Sequence, residues 1–225
     1  LLFVYVQFFT SAPTCFDRQM NGSERGVDCG GTCALLCKAD TRSPVVLWAR
    51  TFAVAPGVYT AAAYVQNPNI GAAARKVAYT FQLFDERNLL VSERIGVLDI
   101  PPVATVPFID PNISVGNRTV SKAIFSFTAE PVWQRTGALP ILRTTNQYLA
   151  ADASTLSATI QNESVADAEK VIVAAVLFDT QGVARAASRS LIERIPRKAS
   201  QNVVFTWGGG VPNIIRAEIT VLPSF

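Results

Sequence analysis

Tyr64–Asp85 reads YVQNPNIGAAARKVAYTFQLFD, and Thr159–Asp179 reads TIQNESVADAEKVIVAAVLFD. Each stretch opens on a strand that closes with Val/Ile-Gln-Asn and ends in Leu-Phe-Asp. The aspartate falls 18 residues after the asparagine in the first stretch and 17 in the second. The likeness continues downstream. Each LFD meets a turn (Glu86-Arg87-Asn88 or Thr180-Gln181-Gly182), then a strand bearing Arg and Ser, then a turn with proline (Pro101-Pro102 or Pro196). A further aromatic strand ends at Phe108 in one copy and in VVFTW in the other. An internal repeat of this length implies two copies of one structural unit, joined near Pro131–Leu139.

From Ser43 onward the chain is a succession of short runs rich in Val, Ile, Phe, Tyr and Thr: VVLWARTFAV, VYTAAAYVQN, RKVAYTFQLFD, LLVSERIGVL, ATVPFI and KAIFSFT. Turn formers such as Ala55-Pro56-Gly57 and Asn67-Pro68-Asn69 separate them, the pattern of strands and not of helices. In VAYTFQLFD, Val77, Tyr79, Phe81 and Leu83 alternate onto one face. ADAEKVIVAAVLF has length enough for a helix, but its β-branched centre favours a strand. The expectation is an all-β protein of antiparallel sandwiches. Asp85 and Asp179 each stand where a strand enters a turn. Their carboxylates are expected to accept hydrogen bonds from the turn amides and to serve structure, not catalysis.

On these residues the repeat resembles the FxLYD-type domain, a small immunoglobulin-like sandwich of bacterial envelope proteins. The matching positions are Asn67, Leu83, Phe84, Asp85 and Phe108, then Asn162, Leu177, Phe178, Asp179 and Phe205. The resemblance implies an accessory or adhesive surface module with no active site to transfer. Pro107 in TVPF departs from the pattern and points to an edge strand or bulge there.

Composition narrows the function classes. Among 225 residues there is no histidine, which removes the commonest general base and metal ligand and the usual Ser-His and Cys-His pairs. The formal net charge is +3 and the basic residues are scattered, unlike a stripe that tracks phosphates, so nucleic acid is not an expected partner. Neither a GxGxxG nor a GxxxxGK[ST] loop occurs. Carboxylates form no recognisable catalytic pair.

The chain opens with LLFVYVQFF, eight apolar side chains and one Gln. Nine residues are too few to span a bilayer, which takes about 20 in a helix. The reading adopted is the outer end of a transmembrane helix or signal anchor, with aromatic residues at the membrane–water boundary. An apolar first strand is the alternative. Thr10–Pro13 then forms a spacer.

Residues 14–42 hold all four cysteines: Cys15, Cys29, Cys33 and Cys37. The segment has too few apolar side chains to build a core, so two disulfides in an oxidising compartment are the expected staple. Three pairings are open. A zinc site of four thiolates is the rival, although Cys15 lacks a close partner for the usual spacing. A CxxC redox pair is absent. Asp17, Asn21, Glu24 and Asp28, at intervals of four, three and four, supply hard oxygen ligands and make calcium the one candidate cofactor. The spacing is not that of an EF-hand. The segment also resembles a TCxDGxxNxxExGVDCGGxC knot that follows the membrane anchor in bacterial surface proteins, with Arg18 standing where that pattern has Gly.

The domain expectation is therefore 1–13 anchor end and spacer, 14–42 knot, 43–137 first sandwich and 138–225 second sandwich. The functional expectation is a non-catalytic, single-pass membrane protein of the cell envelope. It would hold the bulk of its chain outside the cytoplasm and display immunoglobulin-like domains for protein binding or self-assembly. The alternative is an accessory module or a calcium-dependent enzyme with a carboxylate site. Trp48, Trp133 and Trp207 are expected in core or junction packing.

Overall fold

A computed structural model describes residues 14–103 and 105–225. The expected membrane segment and spacer at 1–13 lie outside the described residues. No helix among the described residues is long and apolar enough to cross a membrane.

After a 3-10 turn at Lys38–Asp40, the first half of the chain forms β1 (Val45–Ala55), β2 (Val58–Gln66), β3 (Ala72–Phe84), β4 (Leu90–Ile100), β5 (Thr105–Ser114), β6 (Lys122–Phe127) and the short β7 (Trp133–Arg135). The second half forms β8 (Leu142–Leu149), β9 (Thr155–Asn162), β10 (Ala168–Asp179), β11 (Ala184–Ile195), β12 (Ser200–Thr206) and β13 (Ile214–Leu222). The protein is thus nearly all β, and every strand pairing is antiparallel.

The two halves share one topology. Sheets of order β1-β2-β5 and β4-β3-β6 make the first unit; sheets of order β8-β9-β12 and β11-β10-β13 make the second. β7 adds to β3 in the first unit only. Inside the first unit, Ala61, Ala63 and Val65 of β2 pack with Phe81 and Leu83 of β3 and Phe125 of β6. Inside the second, Leu156, Ala158 and Ile160 of β9 pack with Val171, Val173, Ala175 and Leu177 of β10 and Phe205 of β12. Each unit is therefore sandwich-like, with the alternate residues of two facing sheets filling one core.

A third cluster joins the units. Phe52, Ala62, Tyr64 and Ile109 on the outer face of β1-β2-β5 meet Ala174, Val176, Phe178, Ala184 and Ala187 on the outer face of β10 and β11. β2 and β10 are consequently buried on both faces. Their runs AAAYV and VIVAAVLF carry no polar alternation because neither face meets water. Trp48 stacks on Tyr64 with ring centroids 4.6 Å apart, Tyr64 meets Phe178 edge-on at 6.3 Å, and the Arg216 guanidinium sits 4.1 Å above the Phe178 ring. The Tyr64 hydroxyl donates to Glu218 at 2.9 Å. Burial pushes that phenol up to about 12. The other two tryptophans are buried in cores: Trp207 in the second unit and Trp133 beneath the N-terminal segment.

Register corrects one correspondence drawn from the sequence. Phe108 lies opposite Ala63, and Val203 lies opposite Ala158. Both alanines stand four residues before the strand-closing asparagine, so Phe108 corresponds to Val203 and not to Phe205. The β2–β5 ladder is in constant register from Gln66 to Ala61, so Asp110, opposite Ala61, is the counterpart of Phe205, opposite Leu156. Pro107, lacking an amide hydrogen, sits on β5, an edge strand of its sheet.

Candidate functional site

The cysteine-rich segment contains two disulfides, Cys15–Cys33 and Cys29–Cys37, with Cα separations of 5.6 and 5.0 Å. All four sulfurs are paired, so no thiolate is available for zinc. With sequence separations of 18 and 8, each bridge removes chain entropy from the unfolded segment, in total about 6 kcal/mol on the loop-entropy account. Gly31 shows how tightly the segment is wound: a β-carbon there would lie 1.7 Å from the Ser23 carbonyl oxygen, and its φ is +56°.

Three of the four candidate ligands, Asp17, Glu24 and Asp28, are spent on this winding, while the side-chain oxygen of Asn21 is buried without a hydrogen-bond partner. Asp17 Oδ1 accepts from the Gln19 amide at 2.9 Å and Oδ2 from Asn21 Nδ2 at 2.9 Å. The Asn21 contact is the leading reason that the Asp17 carboxyl is held below its ordinary value. Glu24 Oε2 accepts from the amides of Asn21 and Asp28, both at 3.3 Å. Asp28 takes the Arg18 amide in both oxygens, at 3.0 and 3.1 Å. This holds Arg18 at φ 61°, a left-handed conformation that a glycine adopts at no steric cost. Among the described residues, only Cys15, Glu24 and Cys33 bring three Cys or carboxylate ligand atoms within 4.8 Å of one another, and both cysteines are bridged. Asp17, Glu24 and Asp28 do not converge in that way.

The segment is seated on the first unit and does not hang from it. Leu35 bridges Gln134 of β7, and the Leu36 amide donates to the Trp133 carbonyl at 3.0 Å. Arg135 Nη1 donates to the carbonyls of Gly31 and Cys33, both at 2.7 Å. Leu36 packs on the Trp133 core, and Arg42 and Asn69 exchange backbone-to-side-chain hydrogen bonds at 2.8 and 2.7 Å.

The repeated asparagines and aspartates make matching networks. Asn67 Nδ2 donates to the carbonyls of Ala72 and Pro101, and its Oδ1 accepts from the Asn69 amide. Asn162 Nδ2 donates to Ala166 and Ile195, and its Oδ1 accepts from Ser164. Each ties the end of one sheet to the turns of the other, so a buried polar side chain locks the sandwich. Asp85 Oδ1 accepts the amides of Arg87 and Leu89, and Asp179 Oδ1 those of Gln181 and Val183, all at 2.9 Å. Arg118 and Arg185 occupy the respective second oxygens. The amides of Leu89 and Val183 are the main reason that both carboxyls are held below their ordinary value. These groups hold turns.

An opening does occur where the two units meet. A groove of about 540 Å³ runs between β4 and β11, floored by Phe108, Ile109 and Ile172 and flanked by Val97 and Leu191. Lys76, Lys170, Arg189, Asp99 and Glu193 stand around it. Of the groove residues named, only Phe108 was singled out in the sequence, and for its place in the repeat. The available signal was that Lys76 and Lys170 occupy the same place in the repeat, nine residues before Asp85 and Asp179.

No family model and no curated protein matches the chain. Among solved structures, a red sea bream transglutaminase is similar over 80% of this chain, with 7% identity and a TM-score of 0.27. The chain spans 29% of that enzyme's length, and a likeness this loose carries no argument about fold or activity.

Proposed function

We propose that this chain is the extracytoplasmic part of a non-catalytic, membrane-anchored protein of the cell envelope, presenting two immunoglobulin-like sandwiches for protein binding or assembly. The observation that carries this reading is the pair of disulfides in a segment with almost no core of its own. Such staples form and persist in oxidising compartments. The segment is wedged against the first sandwich by Arg135 and Leu36, so an anchor preceding it would present a stiff body.

Immunoglobulin-like strand order supports the choice of module. The first, second and fifth strands of each unit oppose the third and sixth, an order compatible with that fold, while the fourth strand lies beside the third and not on the sheet of the first, where the constant-type domain has it. The anchor itself rests on Leu1–Phe9 as sequence.

The test is topology. Cells expressing the chain with its native upstream region are fractionated and then treated intact with protease, and the thiols of the recovered protein are counted. The reading expects membrane-fraction protein, cleavage from outside and no free thiol. Soluble protein with four free thiols overturns it.

A further inference from the structure

We infer that the groove between β4 and β11 binds a small amphipathic anion, an aliphatic or aromatic body carrying one carboxylate. The inference goes beyond the display reading and does not depend on where the chain is located.

The groove is built from equivalent positions of the two repeats. Lys76, Val97 and Asp99 on one side correspond to Lys170, Leu191 and Glu193 on the other, each 94 residues apart. Both lysines are in the left-handed conformation, at φ 51° and 48°. That conformation is unfavourable for a side chain with a β-carbon. It takes the residue out of the regular alternation of the strand, and in both repeats the lysine so displaced lines this one groove. Strain repeated at one place in two units and converging on one opening points to a site.

The floor and flanks define the body of the ligand. Phe108, Ile109 and Ile172 form an apolar base, while Val97 and Leu191 are left 64% and 54% exposed beside it. A cleft of about 540 Å³ lies within the size range of small-molecule sites, most of which lie in apolar clefts with a few convergent polar groups. Its position at a junction of two units is also a common one for such sites.

The charge defines the head group. Lys76, Lys170 and Arg189 stand against Asp99 and Glu193. Among the described residues none of these three cations is within 4.0 Å of a carboxylate oxygen. Asp99 is partly committed, since its Oδ1 accepts the Lys76 backbone amide at 2.7 Å. The uncommitted charge is therefore positive, and a single carboxylate complements it.

The full chain is titrated with decanoate, decanol and decyltrimethylammonium, by calorimetry and by the methyl signals of Val97 and Leu191. Decanoate is expected to bind at one site, about tenfold or more tighter than decanol, with the ammonium compound weakest. Shifts should concentrate at Val97 and Leu191. The combined Lys76→Gln, Lys170→Gln and Arg189→Gln variant should lose about tenfold for decanoate and leave decanol unchanged. Leu191→Asp, at an exposed position that folding tolerates, should weaken both. Equal affinity for decanoate and decanol, an unchanged triple variant, preference for the ammonium compound, or shifts that miss the groove methyls would each overturn the site. Neither result touches the topology experiment, so this inference and the display reading fail separately.

Discussion

Strands β3 and β10 end in the same Leu-Phe-Asp and bury matching inner residues, yet their outer faces are opposites. Outward from β3 come Thr80, Gln82 and Phe84, all half-buried, with Gln82 donating to Glu93 across the ladder at 2.8 Å. At the same positions β10 carries Ala174, Val176 and Phe178, all buried, and Ala187 replaces Glu93 opposite. The other sheet shows the reverse. Outward from β2 come Ala62 and Tyr64, buried, whereas β9 presents Ser157 and Thr159, the latter hydrogen-bonded to Asn202. One apolar face of each unit therefore meets the other; the remaining two carry polar side chains on β3 and β9, with Ile95 and Val97 exposed beside β3. Because the joined faces are of different sheets, the contact is heterologous and could in principle propagate. The polar side chains outward from β3 and β9 work against that propagation, as capping repeats do at the end of a solenoid.

The largest effect should come from the buried ring. Phe178→Ala removes it from the junction and strips Arg216 of its partner, and should cost about 3–5 kcal/mol in urea unfolding. Phe84→Ala, on the uncovered face, should cost about 1 kcal/mol. Comparable losses at the two sites would break the distinction between covered and open faces.

The strand-closing asparagines should instead behave alike. Asn67→Ala and Asn162→Ala each orphan two carbonyls and one amide inside a sandwich, at about 2 kcal/mol each. Unequal losses would show that the two networks, although matched in geometry, differ in weight.

The turn aspartates sharpen the same point through pH. Their carboxyls are held below the ordinary value of 3.8, so the charged form is the one the folded state favours. Their contribution is complete above that value and is lost as pH falls through the lower, folded value. Stability should be level near neutral pH and fall below about pH 4. Asp85→Asn and Asp179→Asn should each flatten that acid slope to a similar degree, read as unfolding midpoints at pH 7, 4 and 3. An undiminished slope in both would remove the turns as its source.

The smallest change in stability belongs to Gln82→Val, which copies the β10 residue onto the open face of β3. It should move unfolding by less than about 0.5 kcal/mol. Its effect should appear in sedimentation as concentration-dependent association, since it enlarges an exposed apolar patch that already contains Ile95 and Val97. A strictly unchanged sedimentation profile would mean that polarity at this position does not police the face.

Much of the architecture was legible residue by residue. β-branched and aromatic runs between turn formers marked the strands, and ADAEKVIVAAVLF became a strand, β10, despite its helix-compatible length. Four cysteines in a coreless segment announced disulfides. The junction was less legible because a continuous apolar run such as AAAYV reports burial on both faces without saying what covers the second. The seating of the N-terminal segment escaped because it depends on Leu35, Leu36 and Arg135, whose sequence separations of about a hundred residues leave no periodic trace. The correspondence of Phe108 was misplaced by two because it matched aromatic to aromatic, whereas the ladder places Phe108 opposite Ala63 and Phe205 opposite Leu156, one pleat pair further along.

The amino-acid sequence by itself determined the all-β class, the twofold repeat, and the Asn and Asp that close its strands and turns. These are local matters of side-chain alternation, chain stiffness and backbone hydrogen bonding, readable from neighbours along the chain. Only the tertiary structure decided which cysteines pair, which outer faces meet, and that Lys76 and Lys170 share a groove. Those outcomes depend on complementarity between surfaces distant in sequence, because an apolar outer face shows that it will be covered but not by what until a partner face of matching shape is brought against it.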